Sequence, residues 1–287
     1  LTALLAGPAL ARTCEVLRAY AADAWILNLT NPLSSITAIM AAGLPRCMGL
    51  CELPLVTARQ TAHLLGLDLE QVEWHYTGLN HRGFIHRLRG AGGDLLEGLP
   101  GRLGDNTVVG VTAQEIADLG ALPLKYFGLL RGDMPSASRR GLELMALRSR
   151  LYAELAANPG ESPPSLRERY MDWYPEALVP VLRALHADRP EPHIVSQLAV
   201  DGLVWERTAD ISRAGVYPHP VTTCNGPVET WLRLFCIHEQ AFLHALRAPS
   251  FEHVQQALAA DPTAGNVPTE SLARALWQQY LDQSAAR

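Results

Sequence analysis

Along the first ninety residues, short apolar runs alternate with stretches whose apolar positions recur every three or four residues. Leu10, Cys14, Val16, Leu17 and Tyr20 carry helical spacing over residues 8–20. AWILNL, residues 24–29, is an uninterrupted apolar run of the kind a buried parallel strand uses. Asn31-Pro32 ends it, and the pattern that follows predicts a helix capped by Ser34 or Ser35. Arg46–Leu50 reads as a second short strand, and Leu55–Leu65 as a helix closed by Gly66. Val72–Thr77 and Phe84–Leu88 read as two strands around the turn Gly78-Leu79-Asn80-His81. Alternation of this kind predicts an α/β sheet.

Beyond residue 110 the spacing becomes mostly helical, over 112–119, 136–157 and 174–187, with the Pro- and Ser-rich NPGESPPSLRE (158–168) as a surface loop. Residues 194–222 return to strand spacing: VSQLAV, LVWERTADI and VYPHPV are set apart by Asp201-Gly202, a good hairpin turn, and by Gly215. Helical patterns at 228–247, 251–260 and 269–283 close the chain.

Composition narrows the function classes. Of 287 residues 48% are hydrophobic and 18% charged, which supports a sizeable core and excludes wholesale disorder. A net charge of -5 without a basic stripe (Arg139 and Arg140 are an isolated pair) argues for a small-molecule partner rather than nucleic acid. Cys14, Cys47, Cys51, Cys224 and Cys236 are odd in number, irregularly spaced and without a CxxC pair, so a reducing, cytoplasmic setting is expected. No apolar run spans a bilayer, and the apolar opening LTALLAGPALARTCEVL lacks the basic flank of a signal peptide. The first residue is Leu, so an internal fragment or a processed product is expected.

Three segments carry residue types suited to chemistry. Asn28-Leu29-Thr30-Asn31-Pro32 follows a strand, where ligands of open α/β sheets bind; it also reads as a simple strand end and helix cap. Gly49-Leu50-Cys51-Glu52-Leu53-Pro54 places a thiol past the next strand, able to ligate a borderline-soft metal, act as a nucleophile, or fill the core. Gly78-Leu79-Asn80-His81-Arg82-Gly83-Phe84 sets an imidazole in a turn flanked by glycines, suited to metal binding or proton transfer. His63, His75, His86, His186, His219 and His244 read as surface or satisfied residues.

In this order and spacing, NLTNP, GLCELP and GLNHRGF resemble the N-x-TNP, GLCN-x-P and GLNH-x-x-F segments of glycoside hydrolase family four, and AYAADAWILN resembles that family's PDAW-(I/L)-N lead-in. The likeness is densest over residues 10–90 and continues more sparsely through LPLKYF, RYMDWYPEALVPVLRAL and VWER. Such enzymes depend on NAD and a divalent metal, usually manganese, and stand outside the two-carboxylate scheme of most glycosidases. The resemblance implies hydride removal from C3 of a glycoside, free or 6-phosphorylated, then proton loss at C2, elimination of the glycosidic oxygen, water addition and hydride return. It implies Cys51 and His81 as metal ligands, Asn31 and Asn80 as substrate- or nicotinamide-binding residues, with Asn31 on the cofactor side, and Tyr126 of Lys125-Tyr126-Phe127 as the base.

The fold so implied is α/β: residues 1–80 form the C-terminal part of a Rossmann-like dinucleotide-binding domain with a truncated parallel sheet. Residues 81–287 form a mostly helical α+β catalytic or substrate domain with a small antiparallel sheet. The glycine-rich NAD-binding turn of the family has no counterpart in this sequence, so the isolated chain is expected to be inactive, and a homo-oligomer, dimer or tetramer, is expected of the whole enzyme. The family's TNP-(A/S)-G becomes Thr30-Asn31-Pro32-Leu33-Ser34, its Asn-Asn-Gly becomes Pro192-His193-Ile194, and its Tyr-Ser becomes Tyr174-Pro175. Two other readings compete: a 2-hydroxyacid dehydrogenase, which needs no thiol ligand, and a non-catalytic relative kept for assembly.

Overall fold

The computed structural model describes residues 1–131, 137–169, 174–220, 224, 226–265 and 267–285, with the side chains of 137–140 left aside. Residue 136 of the expected helix, residues 170–173 of the segment RYMDWYPEALVPVLRAL, residues 221–222 of the expected strand region, and the Arg139 and Arg140 side chains lie outside that description.

Helix α1 (Thr2–Tyr20) leads to strand β1 (Ile26–Asn28), helix α2 (Leu33–Ala41), strand β2 (Cys47–Gly49) and helix α3 (Leu53–Leu64). The hairpin β3 (Glu73–Leu79) and β4 (Arg82–Gly90) follows, then the short β5 (Gly93–Asp94), α4 (Leu99–Leu103), the ribbon β6 (Thr107–Val108) and β7 (Val111–Thr112), α5 (Ala113–Leu119), β8 (Leu122–Pro123) and α6 (Ala137–Ala157). After α7 (Val179–Ala184), β9 (Glu191–Leu198), β10 (Val204–Ser212) and β11 (Gly215–Pro218) run in succession, and α8 (Pro227–Arg247), α9 (Phe251–Ala259) and α10 (Thr269–Ala285) close the chain. Among the described residues no helix is long and apolar enough to cross a membrane.

The expected α/β class holds. The described strands form one nine-stranded mixed sheet, of order β1-β2-β9-β10-β3-β4-β5 with β11 on β10 and β8 on β4, beside the separate two-stranded ribbon. The parallel pairing lies at β1 and β2, where Ile26, Leu27 and Asn28 face Cys47, Met48 and Gly49. The sheet then turns antiparallel at Gly49 and Ser196, so strands 191–218 extend the first sheet rather than standing apart. Strand β10 lies between β9 and β3, which sets Glu206 opposite both Ser196 and Gly78.

Helix α2 begins one turn earlier than its polar residues suggest. Its N-cap is Pro32, and Ser34 and Ser35 lie buried inside it, so neither serves as the cap. The helix start has no side-chain cap and is braced by Asn28, whose Nδ2 donates to Leu33 O at 3.1 Å and Thr37 Oγ1 at 3.0 Å while its Oδ1 accepts from Thr30 N–H at 2.9 Å. Asn28 therefore fastens the strand end and the helix start into one rigid turn, from which Asn31 projects.

Candidate active site

The β3–β4 hairpin builds the centre of the site. Its turn is shorter than the four residues expected, consisting of Asn80 and His81 alone, because Leu79 already pairs with Arg82 and Gly78 with Gly83. His81 has φ +66°, a left-handed conformation that costs a non-glycine residue about 1 kcal/mol or more and is commonest where function demands it. Both flanking glycines are needed for close approach. A Cβ on Gly78 would lie 2.2 Å from the Gly83 Cα, and one on Gly83 would lie 2.1 Å from the Tyr76 Oη.

The space at Gly83 lets the Tyr76 phenol reach across the hairpin to Glu206. That carboxylate is 0% exposed and accepts three hydrogen bonds: from Tyr76 Oη at 2.6 Å, Asn80 Nδ2 at 3.0 Å and Ser196 Oγ at 3.1 Å. Burial raises the Glu206 pKa above the carboxylate range, and the three donors oppose that rise. Asn80 is thus held by a buried acid from a strand 126 residues away.

His81 and Tyr126 meet as a tilted aromatic pair, with ring centroids 4.6 Å apart. The Lys125 ammonium lies 5.0 Å over the Tyr126 ring. Burial pushes the His81 imidazole down to about 4, with Lys125 and Arg82 adding to the effect and Glu52 opposing it, so the ring is neutral at neutral pH. Asn31, Asn80, His81 and Tyr126 all line one open cavity of about 620 Å³.

Cys51 sits just past β2 and lines a smaller neighbouring cavity of about 210 Å³, together with Trp74, Glu176 and His193. Its sulfur lies 3.9 Å from Glu52 Oε2 and is hydrogen-bonded by the Leu53 backbone and the Asn80 side chain. Burial, then the charge of Glu206, pushes the thiol well above its ordinary value, and Glu52 adds to this. Two links join Cys51 to the large cavity: Asn80, whose side chain favours its thiolate, and Glu52, which acts electrostatically on both Cys51 and His81.

The far wall carries groups that local pattern did not single out. Arg82 Nη1 donates to His238 Nδ1 at 2.6 Å, and Nη2 pairs with Asp261 at 3.0 Å. Glu239, 6% exposed, accepts from Ser34 Oγ at 2.7 Å, and burial raises its pKa. The signals were present. Glu239 falls on the buried stripe Val228, Leu232, Phe235, Leu243 of α8, and Glu206 shares a strand face with buried Val204. An acid at a core position is the informative exception to apolar burial.

Residues 2–67 match the family profile described as Family 4 glycosyl hydrolase. Over that segment the chain resembles the family. It is 26% identical over 234 residues to a 6-phospho-β-glucosidase of Escherichia coli, covering 70% of this chain and 52% of the relative. The chain therefore spans about half the length of that curated relative. A 6-phospho-β-glucosidase structure from Thermotoga maritima with manganese, NAD+ and glucose-6-phosphate superposes at TM-score 0.77 with 21% identity, over 98% of this chain and 71% of that one. A 6-phospho-α-glucosidase from gut microorganisms in complex with NAD and Mn2+ gives TM-score 0.76 at 17% identity, over 96% and 71%. At these identities the structural likeness establishes the fold. The family 4 match covers the segment containing Asn31 and Cys51, while Asn80, His81 and Tyr126 lie beyond it.

Proposed function

We propose that this chain carries the catalytic machinery of a family 4 glycosidase that works with NAD and a divalent cation, manganese, on a 6-phosphorylated glucoside. The observation that carries the reading is convergence. Asn31, Asn80, His81 and Tyr126, from separate stretches of sequence, line one cavity, and the Asn80 side chain ties that cavity to Cys51. The phosphorylated substrate is supported by the relatives, which are 6-phosphoglucosidases.

Cys51 and His81 fit a cation. A ligand imidazole must be neutral, as His81 is, and a thiol among Glu52 and Glu206 ionises readily only when positive charge offsets theirs. Two protein ligands leave coordination positions for sugar oxygens. When bound, the cation would supply Lewis-acid polarisation of those oxygens, and NAD a hydride acceptor. Tyr126, packed on His81, takes up a sugar carbon proton, Asn80 orients the sugar, and Asn31 serves the substrate or the nicotinamide from the end of β1. Glu206 holds the Asn80 amide so that its carbonyl side faces the ligand. In this reading residues 1–80 supply the cofactor side of the site and residues 81–287 the substrate side. The free thiols of Cys14, Cys47, Cys51 and Cys236 support a cytoplasmic setting.

Manganese should raise the melting temperature of the wild-type chain and leave Cys51→Ser and His81→Gln unmoved. In the protein that contains this sequence, deuterium at C2 of 4-nitrophenyl glucoside 6-phosphate should slow hydrolysis. A manganese response that survives in Cys51→Ser removes the metal assignment. Hydrolysis that proceeds without NAD+ and manganese removes the reaction class.

A further inference from the structure

Away from the cavity, the corner between α8 and α9 brings two imidazoles together. Only three residues connect Arg247 to Phe251, and both helix ends are fixed. The Ala248 N–H returns to His244 O at 2.9 Å, and Ser250 Oγ caps α9 by accepting from the His253 N–H at 3.2 Å. The two histidine backbones are therefore held by the ends of two packed helices.

Their rings are oriented as well. A carbonyl can only accept, so the 2.6 Å contact between His253 Nδ1 and Ala248 O places the proton on Nδ1 and leaves the Nε2 lone pair free. That is the arrangement by which a backbone carbonyl fixes the tautomer of a metal-ligating histidine. The His253 Nε2 lies 3.0 Å from the His244 Nε2, with ring centroids 4.1 Å apart and planes at 68°. With His253 Nδ1 protonated, this contact is a hydrogen bond from the His244 Nε2–H to the His253 Nε2 lone pair, and a cation would take the place of the shared proton. Two imidazole nitrogens that share a cation at ~2.0–2.1 Å, in right-angled to tetrahedral geometry, stand roughly 2.9–3.3 Å apart. His244 is exposed, so a hydrated ion can reach it.

We propose that His244 and His253 form a metal site for a late first-row divalent cation such as Zn2+ or Ni2+, clamping α8 to α9. Two neutral imidazoles without an anionic ligand favour these ions over Mg2+, Ca2+ or Mn2+, so the site differs in charge from the Cys51–His81 pair with its thiolate and nearby acids. Among the described residues no third histidine, cysteine or carboxylate completes a cluster, so water fills the remaining positions. The clamp bears on the cavity wall: α8 carries His238, and Asp261 follows two residues after the end of α9, the two groups that hold Arg82.

The test is calorimetric titration of the untagged chain with nickel chloride. Cys51→Ser, which lacks the other proposed site, should bind one ion, and wild type should show a binding event of the same affinity. His244→Gln and His253→Gln should each bind at least about tenfold more weakly. His244→Ala, at an exposed position, repeats the measurement where the His253 variant loses its fold. Nickel should also raise the melting temperature of wild type and not of the histidine variants. No binding by wild type overturns the proposal, as does binding that either histidine variant leaves unchanged. Loss of binding in Cys51→Ser would assign the nickel to the other site and likewise overturn it.

Discussion

Replacing Tyr76 by Phe tests whether the buried Glu206 carboxylate organises the hairpin. The phenol donates to Glu206 at 2.6 Å, and the ring is 3% exposed, so the substitution deletes one oxygen without opening a cavity. A hydrogen bond to a charged group contributes about 1.5–3 kcal/mol. Asn80 and Ser196 still donate to the carboxylate, which places the expected loss near the middle, about 2 kcal/mol, or roughly 4–8 °C in melting temperature. The loss must depend on pH. Burial raises the Glu206 pKa, so its ionisation opposes folding: stability is full below the ordinary carboxylate pKa and falls as pH rises through the raised one. Removing a donor raises that pKa further, so the deficit of Tyr76→Phe should be smaller at pH 4, where Glu206 is a neutral acid, than at pH 8. Urea melts at both values measure it through the midpoint, with the slope unchanged. A deficit below about 0.5 kcal/mol, or one equal at the two pH values, would refute the reasoning.

Three further outcomes follow from the same geometry. Gly83→Ala drives a Cβ to within 2.1 Å of the Tyr76 Oη and 2.4 Å of the adjoining ring carbon, so it should destabilise by at least the ~2 kcal/mol of Tyr76→Phe. The double variant should fall close to Gly83→Ala alone, since both break one contact; thermal melts of the four proteins read the coupling. His81→Gly should relieve the left-handed strain and stabilise the apo chain by about 1 kcal/mol while abolishing any manganese response, as paired melts with and without the metal would report. His81 and His238 are both pushed down to about 4, mainly by burial. Their neutral forms are favoured by folding, so stability is complete above pH 6.5 and lost as pH falls toward 4, by at most ~3 kcal/mol each. His238→Gln, which keeps an acceptor for Arg82, should flatten that acid limb in urea melts.

Much of the hairpin was legible in the amino acids, and the reason it carries weight was not. GLNHRGF announces a turn with an imidazole between glycines. That the turn is two residues, and that Gly83 is bare so that Tyr76 can pass, depends on a phenol aimed at Glu206 in a strand 130 residues further on. Local periodicity cannot place β10 between β9 and β3, so it leaves strands 191–218 as a separate sheet and Glu206 as a polar residue of ordinary exposure. Ser34 shows the same limit. Its position before an apolar run reads as a cap, yet its hydroxyl goes to Glu239, 205 residues away, and Asn28 supplies the turn chemistry instead. Cys51 was placed correctly past a strand, but its facing a smaller cavity with His193 follows from the β2–β9 contact, which no spacing encodes.

The electrostatics also weigh on the roles open to Cys51. A nucleophilic cysteine needs an environment that favours the thiolate, such as a neighbouring cation, an imidazolium or a helix N-terminus. Cys51 has the α3 N-terminus, through the Leu53 N–H, but burial and the nearby Glu206 and Glu52 outweigh it and hold the group as a thiol. His81 does not supply the missing positive charge, because burial keeps its ring neutral. A thiol and a neutral imidazole set near two acids form a poor nucleophile and base pair. In the proposed role of metal ligands the same surroundings are favourable, since an arriving dication would turn the surplus negative charge from a liability into affinity. After burial, Glu206 does most to keep Cys51 a thiol, and it also holds the Asn80 amide, so the orientation of Asn80 and the suppression of thiol chemistry are linked through one carboxylate.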